Sequence, residues 1–177
     1  MKTSVKTEES GEVDYTIDCA SRLAGKYLTF RLASIDYGFE ILKVKEIIGL
    51  MKIIRVPRTP DAIRGVINLR GRVIPVMDLR IKFNMEAVGD TPESCVIVVD
   101  GNLNGRVIPM GVLVDSVSEV LDIGPGEIED APSFGAEVNT KFILGIGKAK
   151  GKVIILLDIN KVLSTEDLTM IEKAGGY

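Results

Sequence analysis

The chain has 177 residues, a formal net charge of −3 and a sequence pI near 5.2, enough for one sizeable domain or two small ones that share a core. The acidic balance argues against a general nucleic-acid binder and against a polybasic membrane anchor, both of which need a basic surface. Histidine is absent, which excludes Ser-His and Cys-His nucleophilic pairs and His-ligated zinc.

Residues 1 to about 22 read as a flexible arm, charged and without period, and lack the apolar centre of a signal peptide. Cys19 and Cys95 are isolated, fit no metal-ligand spacing, and suit free thiols in a reducing, cytoplasmic compartment. No run approaches the roughly 18 apolar residues of a membrane span. With 18 Gly and 7 Pro among abundant Ile and Val, short strands are favoured over long helices.

From Tyr27 the chain alternates through Leu28, Phe30 and Leu32, turns near Ser34 to Gly38 and returns through Phe39 and Ile41, which predicts a hairpin with one buried face. Val44 to Leu50 suits one or two helical turns ending at Gly49, and Met51 to Val56 a strand, followed by a rigid loop over Pro57 to Pro60. A hairpin then spans Ile63 to Leu79 with its turn at Arg70-Gly71, and Asp78 opens a short helical segment to Met85. Glu86 to Ser94 is a seam. Strands follow at Val96 to Val99 and Met110 to Val114, and Val117 to Leu121 repeats the pattern of Val44 to Ile48. A second hairpin, Ile143 to Ile159 with its turn at Lys150-Gly151, lies about 80 residues beyond the first. Ser164 and Asp167 resemble a capping box for a closing helix over 165–173. The expectation is a single domain, 23–177, of two small barrels (about 27–85 and about 94–163) whose strands are open to exchange.

The duplication separates shared features from private ones. Asp78 and Asp158 occupy the same place in both copies, and helix capping accounts for them better than acid–base chemistry. Gly145 and Gly147 precede a strand, not a helix, so they make no dinucleotide loop. The hairpin tips differ: Asn68, Leu69 and Arg70 stand where the second copy has Lys148, Ala149 and Lys150. Only a guanidinium offers paired planar contacts. Ile41, Val44, Ile47 and Ile48 form an apolar run that Val117, Val120 and Leu121 repeat, and two such elements can flank a groove for a helix.

Three stretches, Tyr37 to Ile47, Gly65 to Arg80 and Gly111 to Leu121, make the chain resemble the CheW family of chemotaxis coupling proteins from about Tyr27 to Leu163. The resemblance implies a mainly β fold of two interlocked five-stranded SH3-like barrels with short helices and a C-terminal helix. It implies a non-enzymatic adaptor, without cofactor or metal, that joins chemoreceptor cytoplasmic tips to the histidine kinase CheA through the kinase's regulatory domain. Contacts between copies in receptor arrays belong to the same expectation. Carried onto this chain, the receptor groove comprises Leu28, Ile41, Val44, Ile47 and Val117, and receptor or kinase coupling falls to Glu46, Gly65, Asn68 and Arg70. The rivals are an adaptor of another CheA-like two-component pathway, a carboxylate enzyme and a small-barrel RNA binder. Against the last stand the acidic charge and an aromatic content of 5%.

Overall fold

A computed structural model of the chain describes residues 22–86, 88–130 and 141–163. The expected arm, up to residue 21, and the expected closing helix lie outside the described residues.

The fold is mainly β. Its strands in chain order are β1 (Gly25–Leu32), β2 (Ile35–Glu40), β3 (Val44–Gly49), β4 (Ile63–Leu69), β5 (Arg72–Asp78), β6 (Cys95–Leu103), β7 (Arg106–Val114), β8 (Ser116–Ile123), β9 (Ile128–Glu129), β10 (Ile143–Ala149) and β11 (Lys152–Leu157). Two one-turn helices follow the signature hairpins, α1 (Leu79–Lys82) and α2 (Ile159–Val162). The Asp78 carboxylate accepts from the Arg80 N–H and the Asp158 carboxylate from the Asn160 N–H, both at 3.0 Å, so the two aspartates cap these helices.

The strands form two sheets, ordered β8-β1-β2-β11-β10-β9 and β3-β6-β7-β5-β4. Each mixes antiparallel hairpins with one parallel pair, β2 with β11 and β5 with β7. This is the arrangement of two interlocked SH3-like barrels. The second has the five strands expected; the first has six because Ile128–Glu129 pairs with β10. The counterpart of that short strand in the second sheet is one isolated bridge, Ile54 to Val66. Sheets and sequence repeats do not coincide. The first sheet takes β1 and β2 from one copy and β8 to β11 from the other, while β3 to β7 build the second sheet without interruption.

Three local expectations are corrected. The first hairpin turns at Ala33-Ser34, both at positive φ, and Ile35 to Gly38 already belong to β2. Val44–Gly49 is a strand, not a helix, because its β-branched residues alternate in burial and pair with β6; helical geometry is limited to the 3-10 turn Ile41–Lys43. Met51 to Val56 forms no strand beyond the Ile54 bridge. Leu50 and Ile53 anchor that segment by packing into the second barrel, and side chains three apart do not sit on one face of a strand.

Three apolar cores explain the continuous hydrophobic runs in the sequence. Leu28, Phe30 and Leu32 meet Ile97, Val99, Met110 and Val112 between the sheets. Ile67, Ile74, Val76, Val96 and Val98 fill the second barrel, and Tyr27, Leu121, Ile123, Ile154 and Leu156 fill the first. Strands such as β6 are therefore buried on both faces, Val96 and Val98 on one, Ile97 and Val99 on the other.

Candidate partner-binding seam and hairpin tips

The chain passes between the sheets at Ile41–Lys43, entering β3, and at Asp115, entering β8. β3 and β8 are equivalent strands. Val44 and Val117, at their starts, pack half-buried against the inter-sheet core together with Ile41. Ile48 and Leu121 turn inward, each to its own barrel. Between them Ile47 and Val120 face outward, 42% and 48% exposed, and Leu42 on the 3-10 turn is 93% exposed. Apolar side chains left in water side by side mark a surface kept for contact.

Of the groove residues expected from sequence, Ile41, Val44, Ile47 and Val117 thus line the rim of the inter-sheet seam. Leu28 does not. It is 2% exposed, beneath that rim in the inter-sheet core. The inward face of β1 dictates this, since Leu28 shares a side with Phe30 and Leu32. Leu42 and Val120 take the exposed places instead. Val120 belongs to the apolar run that repeats the β3 pattern, and a bulge between Leu28 and Phe30 sets it opposite Leu28. Thr29 heals the bulge: its hydroxyl donates to the Glu119 carbonyl at 2.7 Å and accepts from the Glu119 N–H at 3.1 Å.

Of the residues expected to couple receptor and kinase, all but Gly65 meet at the tip of the β4–β5 hairpin. Arg70 and Gly71 both have positive φ, 53° and 86°, which makes the two-residue turn that matches strand twist. Asn68 shapes it, its Oδ1 accepting from the Gly71 N–H at 2.8 Å. From the tip Arg70 reaches β3 and forks onto both carboxylate oxygens of Glu46, Nη1 donating to Oε2 at 3.3 Å and Nη2 closing on Oε1. That hydrogen bond and charge raise the already high Arg70 pKa, so the guanidinium is a permanent cation. Beside it opens a cleft of about 630 Å³ lined by Glu46, Arg70, Arg72, Ile74, Val107 and Pro109 among others.

Gly65 is the exception, because it works through the backbone. Its φ is +146°, and a Cβ there would stand 2.2 Å from the Ile54 carbonyl oxygen. Only glycine admits the bridge that holds residues 50–56 against β4. Gly145, its equivalent, lies against the Glu129 carbonyl with 3.0 Å for a Cβ.

The first barrel repeats the tip. Lys150 has φ 51° and its Nζ donates to Glu119 at 2.9 Å, while Lys148 pairs with Glu129. Glu119 is held below the usual carboxylate range, chiefly by the Lys150 hydrogen bond. An acid on the edge strand bonded to a cation on the hairpin tip is therefore common to both barrels. Arginine in place of lysine is private to the second.

Tyr27, pushed up to about 12 by burial and by Glu40, keeps its proton and donates it to the Leu23 carbonyl. Among the described residues no group of three or more Cys, Asp or Glu side chains is placed to hold a metal ion, and no helix is long and apolar enough to cross a membrane.

Residues 26–167 match the family model described as a CheW-like domain. The chain is 40% identical over 160 residues to a chemotaxis protein CheW of Klebsiella aerogenes, covering 88% of this chain and 94% of the relative. It is 34% identical over 142 residues to a CheW of Bacillus subtilis, covering 80% and 88%. The crystal structure of the scaffolding protein TtCheW from Thermoanaerobacter tengcongensis superposes with a TM-score of 0.70 at 34% identity, covering 82% of this chain and 96% of that one.

Proposed function

As the chain belongs to the CheW-like family of chemotaxis scaffold proteins, we propose that it couples chemoreceptor cytoplasmic tips to the histidine kinase CheA as a non-enzymatic adaptor in the cytoplasm. The observation that carries this reading is the apolar rim at the two sheet crossings. Leu42, Ile47 and Val120 are exposed there beside half-buried Ile41, Val44 and Val117, a surface suited to the apolar face of a helical hairpin. The tip of the β4–β5 hairpin, with Arg70 on Glu46 and Asn68 in the turn, is the coupling element toward receptor and kinase. Gly65 supports it by seating residues 50–56. Copies of the chain also contact one another and the kinase's regulatory domain.

Such an adaptor works by holding two partners at once, so that the second meets its site at high local concentration and modest affinities suffice. Control of the kinase by the receptor then requires a contact whose free energy differs between two arrangements.

Co-sedimentation tests the reading. Receptor tips, the kinase and this chain together are expected to pellet as a ternary complex. Kinase that pellets with tips to the same extent without the chain refutes the proposal.

A further inference from the structure

The two crossings between the sheets are built differently. At Ile41–Lys43 no side chain caps the 3-10 turn. At Asp115 one carboxylate gathers both sheets. Its Oδ2 accepts from the Ala33 N–H at 2.9 Å, in the β1–β2 turn of the first sheet. Arg80 of α1, which follows β5 of the second sheet, donates from Nε to Oδ1 at 2.7 Å and closes on Oδ2 with Nη2. The Asp115 backbone N–H donates to the Arg31 carbonyl at 3.1 Å, and Arg80 Nη1 to the Glu86 carbonyl at 3.1 Å.

We propose that Asp115 and Arg80 are positioning residues, a clasp that locks the angle between the sheets and so sets the spacing of Val44 and Val117 along the seam. Both valines stand just past a crossing, and Val117 is the second residue after Asp115. The inter-sheet core holds the sheets together by apolar contact, which is non-directional. A forked, charge-assisted contact fixes orientation as well as distance. The clasp is the directional link at one crossing, and the uncapped turn at the other bends to follow it. This inference rests on the seam being the receptor site and adds how its width is set.

The test places spin labels on exposed positions of the two barrels, Val107→Cys and Val153→Cys, in the full chain with Cys19→Ser and Cys95→Ser, and reads their distance distribution. One narrow distribution is expected with the clasp intact. Arg80→Ala, Asp115→Ala and the double variant are each expected to broaden or shift it, the double no more than either single. Receptor-tip affinity is expected to fall several-fold by the same factor in all three, while binding of the isolated kinase regulatory domain stays at the unsubstituted level. Distributions unchanged by both single variants overturn the clasp. Should Asp115→Ala fail to fold, Asp115→Asn keeps volume and an acceptor for Ala33 and is judged by the same distances. An unsubstituted chain that binds no receptor tip refutes the adaptor reading, while the distances still decide the clasp.

Discussion

Arg70 and Lys150 show what a duplicated chain reveals at the scale of one residue. Both sit at positive φ on a hairpin tip and both bond a glutamate on the neighbouring edge strand, so the ion pair belongs to the scaffold and the fork belongs to one barrel. Arg70→Lys is expected to leave the thermal midpoint unchanged, since exposed pairs contribute little to stability. It is expected to weaken assembly of the ternary complex, because an ammonium does not make the paired contact. Ternary assembly at the unsubstituted level would remove Arg70 from the coupling element. Gly65 gives the opposite signature. Gly65→Ala drives a Cβ into the Ile54 carbonyl and is expected to cost at least about 2 kcal/mol in denaturant unfolding, more than Gly145→Ala. Equal losses at the two glycines would contradict this account of the bridge. At the seam, Ile47→Asp is expected to fold with stability within about 0.5 kcal/mol of the unsubstituted chain and to lose receptor tips. Val44→Asp is expected to lose them while also being destabilised, since Val44 leans on the inter-sheet core. Normal tip binding by Ile47→Asp would exclude the seam.

At the scale of elements, the edge strands and crossings were only partly legible. The hairpins announced themselves through alternation and Gly-containing turns, and both Asp caps followed from position. β3 read as helical because Val44-Lys45-Glu46-Ile47-Ile48 fits either period, and pairing with β6 through a bulge decided the matter. Leu28 entered the groove through the resemblance alone, whereas its alternation with Phe30 and Leu32 already marks it as part of a buried face. The Arg80–Asp115 clasp was not legible at all, since its members stand on elements that meet only after the strands have exchanged. The clasp carries a pH dependence of definite sign. Asp115 is held below its ordinary pKa of 3.8, first by the Arg80 hydrogen bond. A carboxyl whose pKa is depressed on folding contributes stability that is present above its unfolded value and lost as pH falls through the folded one. Acid unfolding below about pH 4 is therefore expected to show less pH dependence in Asp115→Asn than in the unsubstituted chain, as read by circular dichroism. Identical acid profiles would mean that the carboxylate gains nothing from Arg80.

For the whole molecule, the exchange of strands decides what folds alone. The sequence repeat suggests a cut between Glu86 and Ser94, yet such a cut strips β3, β4 and β5 of β6 and β7, and separates β1 and β2 from β8 to β11. Halves divided there are expected to lack dispersed amide resonances separately and to regain them when mixed. A folded isolated half would contradict the sheet assignment. The fold class was legible because two copies of one pattern leave few arrangements open; the order of strands was not, because periodicity is blind to partners. The same exchange makes the seam. Each crossing delivers an edge strand to the opposite sheet, and the apolar residues at its start meet at the boundary. The central claim is that this boundary receives a receptor helix. Methyl NMR of the full chain, titrated with the receptor-tip hairpin, addresses it most directly. Shifts are expected at Ile41, Leu42, Val44, Ile47, Val117 and Val120, with Val153 on the β10–β11 hairpin unmoved. Saturable binding that shifts Val153 and leaves those six unchanged would contradict it.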